Sequence, residues 1–190
     1  MRLLTLALLL GFSLIACSAH AQPPRTYQWF DGDDTYQAFI DPKWVGVIQT
    51  PGTSATDNDT KPGVQIVRLV EVTQKAQQAA LARGEMPKGI AKGADEKLTP
   101  VFTTTPTGGR RMALPGNVIV WLDLSFNADQ CKSWLAEQKL PVIAAVDGGR
   151  NAYIIEAPAG LPGLELANAL RTRKGIRAAS PNWWKEAQLR

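Results

Sequence analysis

The order of hydrophobic patterns in the last third of the chain constrains the fold more than any other feature of the sequence. Val118, Val120 and Leu122 alternate with residues of mixed character, and this period of two predicts a strand with one wholly apolar face. Asn127 and Gln130 have the spacing of a capping box, which predicts the start of a helix. The buried face of this helix is predicted to consist of Cys131, Trp134 and Leu135.

A hairpin, a second helix and a final strand are predicted to follow. Two short apolar segments, 141–146 and 152–157, flank the turn-forming residues 147–151 and predict the hairpin. The final strand is predicted at 176–180, where Pro181 stops it. The helix before that strand is predicted from apolar residues that recur every three positions, namely Leu164, Ala167 and Leu170.

The resulting order of elements, β-α-β-β-α-β, is that of the split βαβ, or ferredoxin-like, unit. The residues before this unit have weaker patterns. Strands are predicted over 44–50 and 98–105, a helix over 73–83, and either a strand or the start of a helix over 64–72.

The chain as a whole is therefore predicted to be an α+β protein. Hydrophobic residues make up 45% of it, which is enough to form a packed core. Its predicted segments are a signal peptide at 1–21, an N-terminal α+β part at 22–112, a ferredoxin-like unit at 113–182 and an extended C-terminal tail at 183–190.

The first residues have the pattern of an export signal. Arg2 precedes an apolar stretch at 3–16, and small residues follow, which is too short an arrangement for a membrane span. Cleavage after Ala21 is favoured and predicts a periplasmic or secreted protein. The alternative is a lipoprotein box that ends at Cys17, with lipid attached to that residue. By resemblance to Gram-negative lipoproteins, Ser18 would then direct the protein to the outer membrane.

The chain lacks the residues that most catalytic and metal sites require. Its one histidine, His20, precedes the favoured cleavage site. The exported chain therefore contains no Ser-His-Asp triad, no Cys-His pair and no common zinc site. No glycine-rich phosphate loop is present, since the segment 108–110 is predicted to be a turn. We predict that the protein is not an enzyme and uses no cofactor or metal.

Charge and cysteine content restrict the partners. The formal net charge of +4 does not indicate nucleic acid, because that partner usually requires a concentrated basic face. Membrane association is predicted only if Cys17 is lipidated. Export leaves Cys131 as a single thiol, which cannot form an internal disulfide and is predicted to be buried on its helix face.

The end of the chain resembles the N-terminal propeptide of subtilisin-like serine proteases. In that family a helix with a Leu-Ala-Asn-Ala-Leu face leads to a strand of the form Gly-Val-x-x-Ala-x-Pro-Asn. The matching residues here are 166–170, Gly175, Ile176, Ala179, Pro181 and Asn182. Further segments are similar to the longer propeptides of bacterial subtilases, at 27–32, 44–47, 98–102, 108–110 and 117–120.

This resemblance implies a protein that binds a subtilisin-like serine protease in trans, as a folding chaperone, as an inhibitor, or as both. The propeptide sheet packs on the enzyme, and the extended C-terminus occupies the active-site cleft as a product would. Backbone hydrogen bonds hold such a strand, while alternate side chains fill pockets. By this resemblance Arg190 and its carboxylate lie beside the catalytic serine. The predicted protease-binding residues are Trp183, Trp184, Ala187, Gln188, Leu189 and Arg190.

The two adjacent tryptophans have a second interpretation. Tryptophan is enriched at binding hot spots, which favours an anchoring role for both. Alternatively, one of them packs on its own sheet while the other stays near the surface. The chain also departs from the family at 178–180, where it lacks the acids that cap helices of the enzyme.

Two other functions fit the sequence. One is a periplasmic or outer-membrane structural or ligand-binding protein that shares the ferredoxin-like fold, because a fold does not determine function. The other is a propeptide relic that helps a protease to fold but does not inhibit it.

Overall fold

The computed structural model describes residues 25–49 and 65–187, a mixed α/β structure with two antiparallel sheets, three helices and mostly strands. The predicted signal peptide, Cys17, Gln188, Leu189 and Arg190 lie outside the described residues. The strands are β1 (Thr26–Asp31), β2 (Asp34–Gln49), β3 (Ile66–Glu71), β4 (Lys97–Thr103), β5 (Met112–Ala113), β6 (Asn117–Leu122), β7 (Val142–Ala145), β8 (Ala152–Glu156), β9 (Ile176–Pro181) and β10 (Trp184–Lys185). The helices are α1 (Lys75–Ala82), α2 (Ala128–Glu137) and α3 (Leu161–Leu170). Within the described ranges, none of these helices has the length and apolar character needed to span a bilayer.

The first sheet is organised around the long strand β2. Its first half pairs with β1 and its second half with β3, while β4 runs along its other side. The pairing with β4 shifts register between Ile40 and Val45. Pro42 lies within this shift, where the missing backbone N–H of proline is tolerated. The segment 64–72, for which the sequence left strand and helix open, contains the strand β3.

The second sheet contains the elements predicted for the C-terminal unit. Its strands lie in the order β7-β8-β6-β9 and every neighbouring pair is antiparallel. In the chain the elements follow one another as β6, α2, β7, β8, α3 and β9. The predicted capping box is confirmed, because Gln130 N–H donates to Asn127 Oδ1 (2.9 Å) and Asn127 N–H donates to Gln130 Oε1 (2.8 Å).

Helix α3 lies between the two sheets and contributes to both cores. Ala167 and Leu170 belong to the core of the second sheet, with Val118, Val120 and Leu122 of β6. Leu164 belongs instead to the core of the first sheet, where Trp29, Phe102 and Met112 are also buried. The helix also contacts β1 through polar groups, since Asn168 Nδ2 donates to the Gln28 carbonyl and Arg171 Nη1 to that of Gly32.

The first turn of α3 is packed too closely for a side chain at Gly163. A Cβ at this position would overlap the carbonyl oxygen of Pro158, and a backbone atom cannot move aside cheaply. We expect Gly163→Ala to lower the free energy of unfolding by about 1–3 kcal/mol, because overpacking outweighs the helix preference for alanine. Urea denaturation monitored by circular dichroism measures this change.

The matched control is Gly93→Ala. A Cβ at Gly93 would make only ordinary contact, 3.4 Å from Glu96 side-chain atoms. Its unfolding free energy should stay within about 0.5 kcal/mol of the parent, as for most surface changes. Equal effects of the two substitutions would contradict the close packing of α3 against residue 158.

Candidate functional site

The C-terminal segment is bound to the first sheet. The sequence predicts a tail that is free after the last strand, and the structure differs from this expectation. Trp184 pairs with Ala113 and Lys185 with Met112, which forms strand β10 on β5. The backbone N–H of Glu186 also donates to the carbonyl of Arg111 (2.9 Å). β5 lies between β4 and β10, so β10 pairs backbone groups of β5 that would otherwise be at the edge of the sheet.

Trp183 packs into an aromatic cluster of the first sheet. Its ring meets those of Trp29 and Phe102 edge to face, with centroids 5.5 and 5.3 Å apart. Trp29 in turn stacks on Tyr36 at 4.6 Å, and Tyr27 meets Phe102 at 6.0 Å. Such aromatic pairs are each worth about 0.5–1.5 kcal/mol beyond the area they bury. The cluster therefore anchors the end of the chain to its N-terminal part.

Trp184 packs on a different core cluster from Trp183. It contacts the small cluster of Ile48, Val67 and Ala113 in the same sheet. Both tryptophans are partly buried, so each of the two rings packs on the protein's own sheet. Their role in protease binding stays a prediction.

An arginine and a glutamate far apart in sequence meet beside this segment. Arg111 Nη1 lies 3.2 and 3.3 Å from the two carboxylate oxygens of Glu186, and Arg110 Nε donates to the Glu186 carbonyl at 3.0 Å. The Arg111 guanidinium also lies 4.5 Å from the ring centroid of Trp44, and its Nε is 3.8 Å from Asp41 Oδ2. Sequence reasoning missed this cluster because its members come from three distant segments and follow no local pattern.

The second sheet has one covered face and one that the described helices leave open. Alternate residues of β6 project into the core under α2 and α3, so the residues between them project to the opposite side. On this side Ile119 and Trp121 and their neighbours Ile154 and Ala178 are partly exposed. Asn117, Ala152 and Ser180 on the same side are buried. We call this surface the open face; its apolar residues are Ile119, Trp121, Ala144, Ile154 and Ala178.

A depression of about 310 Å³ borders the open face at β9. Trp121, Arg177 and Ala178 line one side of it, and Asp31 and Asp33 from the turn between β1 and β2 line the other.

Cys131 is fully buried in α2, which confirms the predicted core position. Its thiol forms a hydrogen bond with Tyr153 of β8. The pKa of the tyrosine hydroxyl is raised, mainly because the residue is partly buried and in addition because of this hydrogen bond. Among the described residues, no group of three or more histidine, cysteine or acidic side chains is placed to hold a metal ion.

Comparison of the chain with protein-family models, with curated proteins and with solved structures finds no match. Of the predicted protease-binding residues, the structure places Trp183 and Trp184 on the first sheet and describes Ala187 as the last residue. Gln188, Leu189 and Arg190 lie beyond it. We take the open face and the segment 183–187 together as the candidate site.

We expect the thiol of Cys131 to be unreactive in a folded chain of residues 22–190. Ellman's reagent should modify it only after guanidinium chloride is added, because the folded protein leaves it no exposed surface. Ser133→Cys is the control, since residue 133 is exposed on the same helix and its added thiol should react at once. Rapid modification of Cys131 in the native parent would contradict this packing.

Proposed function

We propose that this protein binds a subtilisin-like serine protease in trans, as a folding chaperone, an inhibitor, or both. The observation that carries the proposal is the arrangement of the second sheet. Its chain order of β6, α2, β7, β8, α3 and β9, with strand order β7-β8-β6-β9, supports a ferredoxin-like unit. The same unit carries the residues that resemble the protease propeptides.

The propeptide-like residues support the fold of this unit. Ala167 and Leu170 are buried in the core of the second sheet, and Ala179 lies on the same side of β9. Gly175 has a φ of +92°, and a Cβ there would lie 2.6 Å from Nε1 of Trp134. A larger residue at 175 would therefore collide with Trp134 of α2, which explains why glycine occupies this position between α3 and β9.

The open face supports a protein partner. Its apolar side chains are partly exposed and share one side of the sheet, and tryptophan is among the residues most enriched at binding hot spots. Trp121 lies opposite Ala178 of β9 and two residues along β6 from Ile119. In the proposed complex the protease packs on the open face, while α2 and α3 keep the opposite side of the sheet within the core.

The proposed mechanism of inhibition is stoichiometric. The residues after Glu186 enter the cleft as an extended strand, held by backbone hydrogen bonds with alternate side chains in pockets. Ala187, Gln188, Leu189 and Arg190 fill the non-primed subsites, with Arg190 next to the catalytic serine. The tail resists turnover because it already has the form of a product. The protein acts in the periplasm or outside the cell, without enzymatic activity or cofactor of its own.

The test of the partner is a pull-down with the mature chain, residues 22–190, from the exported proteins of its own host. We expect it to recover a subtilase whose activity is suppressed in the complex. Ile154→Asp, which places a charge on the open face, should reduce recovery at least about tenfold, the equivalent of about 1.4 kcal/mol.

The control for this substitution is Ile66→Asp, because Ile66 is 47% exposed on β3 of the first sheet. It should leave recovery unchanged. If the host expresses a subtilase and the pull-down recovers none, the structural or ligand-binding alternative is favoured instead. Equal recovery by all three chains would remove the open face from the proposed interface.

Removing Gln188–Arg190 tests the role of the tail. The truncated chain should inhibit the recovered protease at least about a hundredfold more weakly, because it loses its contacts in the cleft. Its far-ultraviolet circular dichroism should match that of the full chain, since every strand and helix that the structure describes lies before these residues. Undiminished inhibition would show that the tail does not occupy the cleft.

A further inference from the structure

Glu186 is held by both its backbone and its side chain. Its N–H donates to the Arg111 carbonyl (2.9 Å), and its own carbonyl accepts from Arg110 Nε (3.0 Å). Its carboxylate accepts from Arg111 Nη1 through both oxygens, at 3.2 and 3.3 Å. These contacts fix the position of the residue and the direction of the chain that leaves it.

Arg111 is itself held in place by groups on β2. Its guanidinium lies over the ring of Trp44 and close to the carboxylate of Asp41. The side chains of Arg111 and Glu186 are 31% and 34% exposed, whereas those of the surface pair Arg83 and Glu85 are 50% and 61% exposed. The first pair is therefore less screened by solvent and is expected to be the stronger of the two.

The contacts of the segment Trp183–Glu186 are made mainly with the first sheet. We call this segment the latch. Trp183 enters the aromatic cluster of β1 and β4, and β10 pairs with β5. The latch thus carries the chain from the end of β9 onto a different sheet, and Ala187 follows from there.

We propose that the latch positions the C-terminal tail for entry into the protease cleft, an inference that rests on the proposed function. The first sheet, through Arg110 and Arg111, sets the position of Glu186 and so the point from which Ala187 leaves the fold. A tail held in one direction loses less conformational freedom on binding than an untethered one, which favours tighter binding. Arg111 and Glu186 are accordingly positioning residues, and the N-terminal part of the chain contributes to inhibition without entering the cleft.

The test substitution is Glu186→Ala, which removes the ion pair but keeps the backbone hydrogen bonds of the latch. The probes are two purified bacterial subtilisins, one that cuts after large apolar residues and one that cuts after basic residues, each with a chromogenic peptide. We expect the dissociation constant of the complex with the inhibited enzyme to rise about fivefold, the effect of losing one partly buried ion pair. The matched control, Glu85→Ala, breaks an Arg–Glu pair of similar length and should leave affinity unchanged.

The same substitution in a chain that ends at Ala187 separates positioning from a purely structural role. If the latch acts through the tail, Glu186→Ala has no further effect on the affinity of the shortened chain, and the two changes are non-additive. If the latch only holds the sheets together, the substitution weakens both chains equally, which would overturn the inference.

Measurements on the parent chain distinguish failure of this inference from failure of the proposed function. Inhibition by the parent with no effect of Glu186→Ala overturns the positioning role alone. A parent chain that neither binds nor inhibits either protease overturns both. Glu186→Ala should lower the thermal unfolding midpoint by the same amount in the full chain and in the chain that ends at Ala187, so that a loss of affinity confined to the full chain reports on positioning.

Discussion

The structure depends on the burial of α3 between two sheets. Leu164 on one side of the helix enters the core around Trp29 and Phe102, while Ala167 and Leu170 on the other side enter the core under β6. Each sheet alone would leave one side of this helix in water, at a cost of about 25 cal/mol for every Å² of apolar surface exposed. The helix therefore couples the two halves of the chain.

The arrangement of the candidate site follows from this coupling. With α2 and α3 on one side of the second sheet, the opposite side remains as the open face. With β1 held against α3, the first sheet lies close enough to β9 for the chain to cross from Pro181 to β10. The surface proposed to bind a protease and the segment that leads to the tail thus both depend on the position of one helix.

Much of the second sheet was predictable because its signals are local. The alternation in β6, the capping box of Asn127 and Gln130 and the buried Cys131 all appear within a few residues of one another. The first sheet was less predictable, since β2 changes partners along its length and its pairing with β4 shifts register near Pro42. The latch was not predictable, because Trp183 and Glu186 meet partners more than seventy residues away.

The sequence by itself determined the elements of the C-terminal unit, their order and core residues such as Val120, Cys131 and Leu170, because hydrophobic periodicity and capping act between near neighbours. It also determined that residues 21–190 contain no histidine. Only the tertiary structure decided which face of the second sheet is open and where the segment Trp183–Glu186 lies. Those features depend on contacts such as Arg111 with Glu186, whose partners are brought together by the packing of both sheets on α3 and by no pattern along the chain.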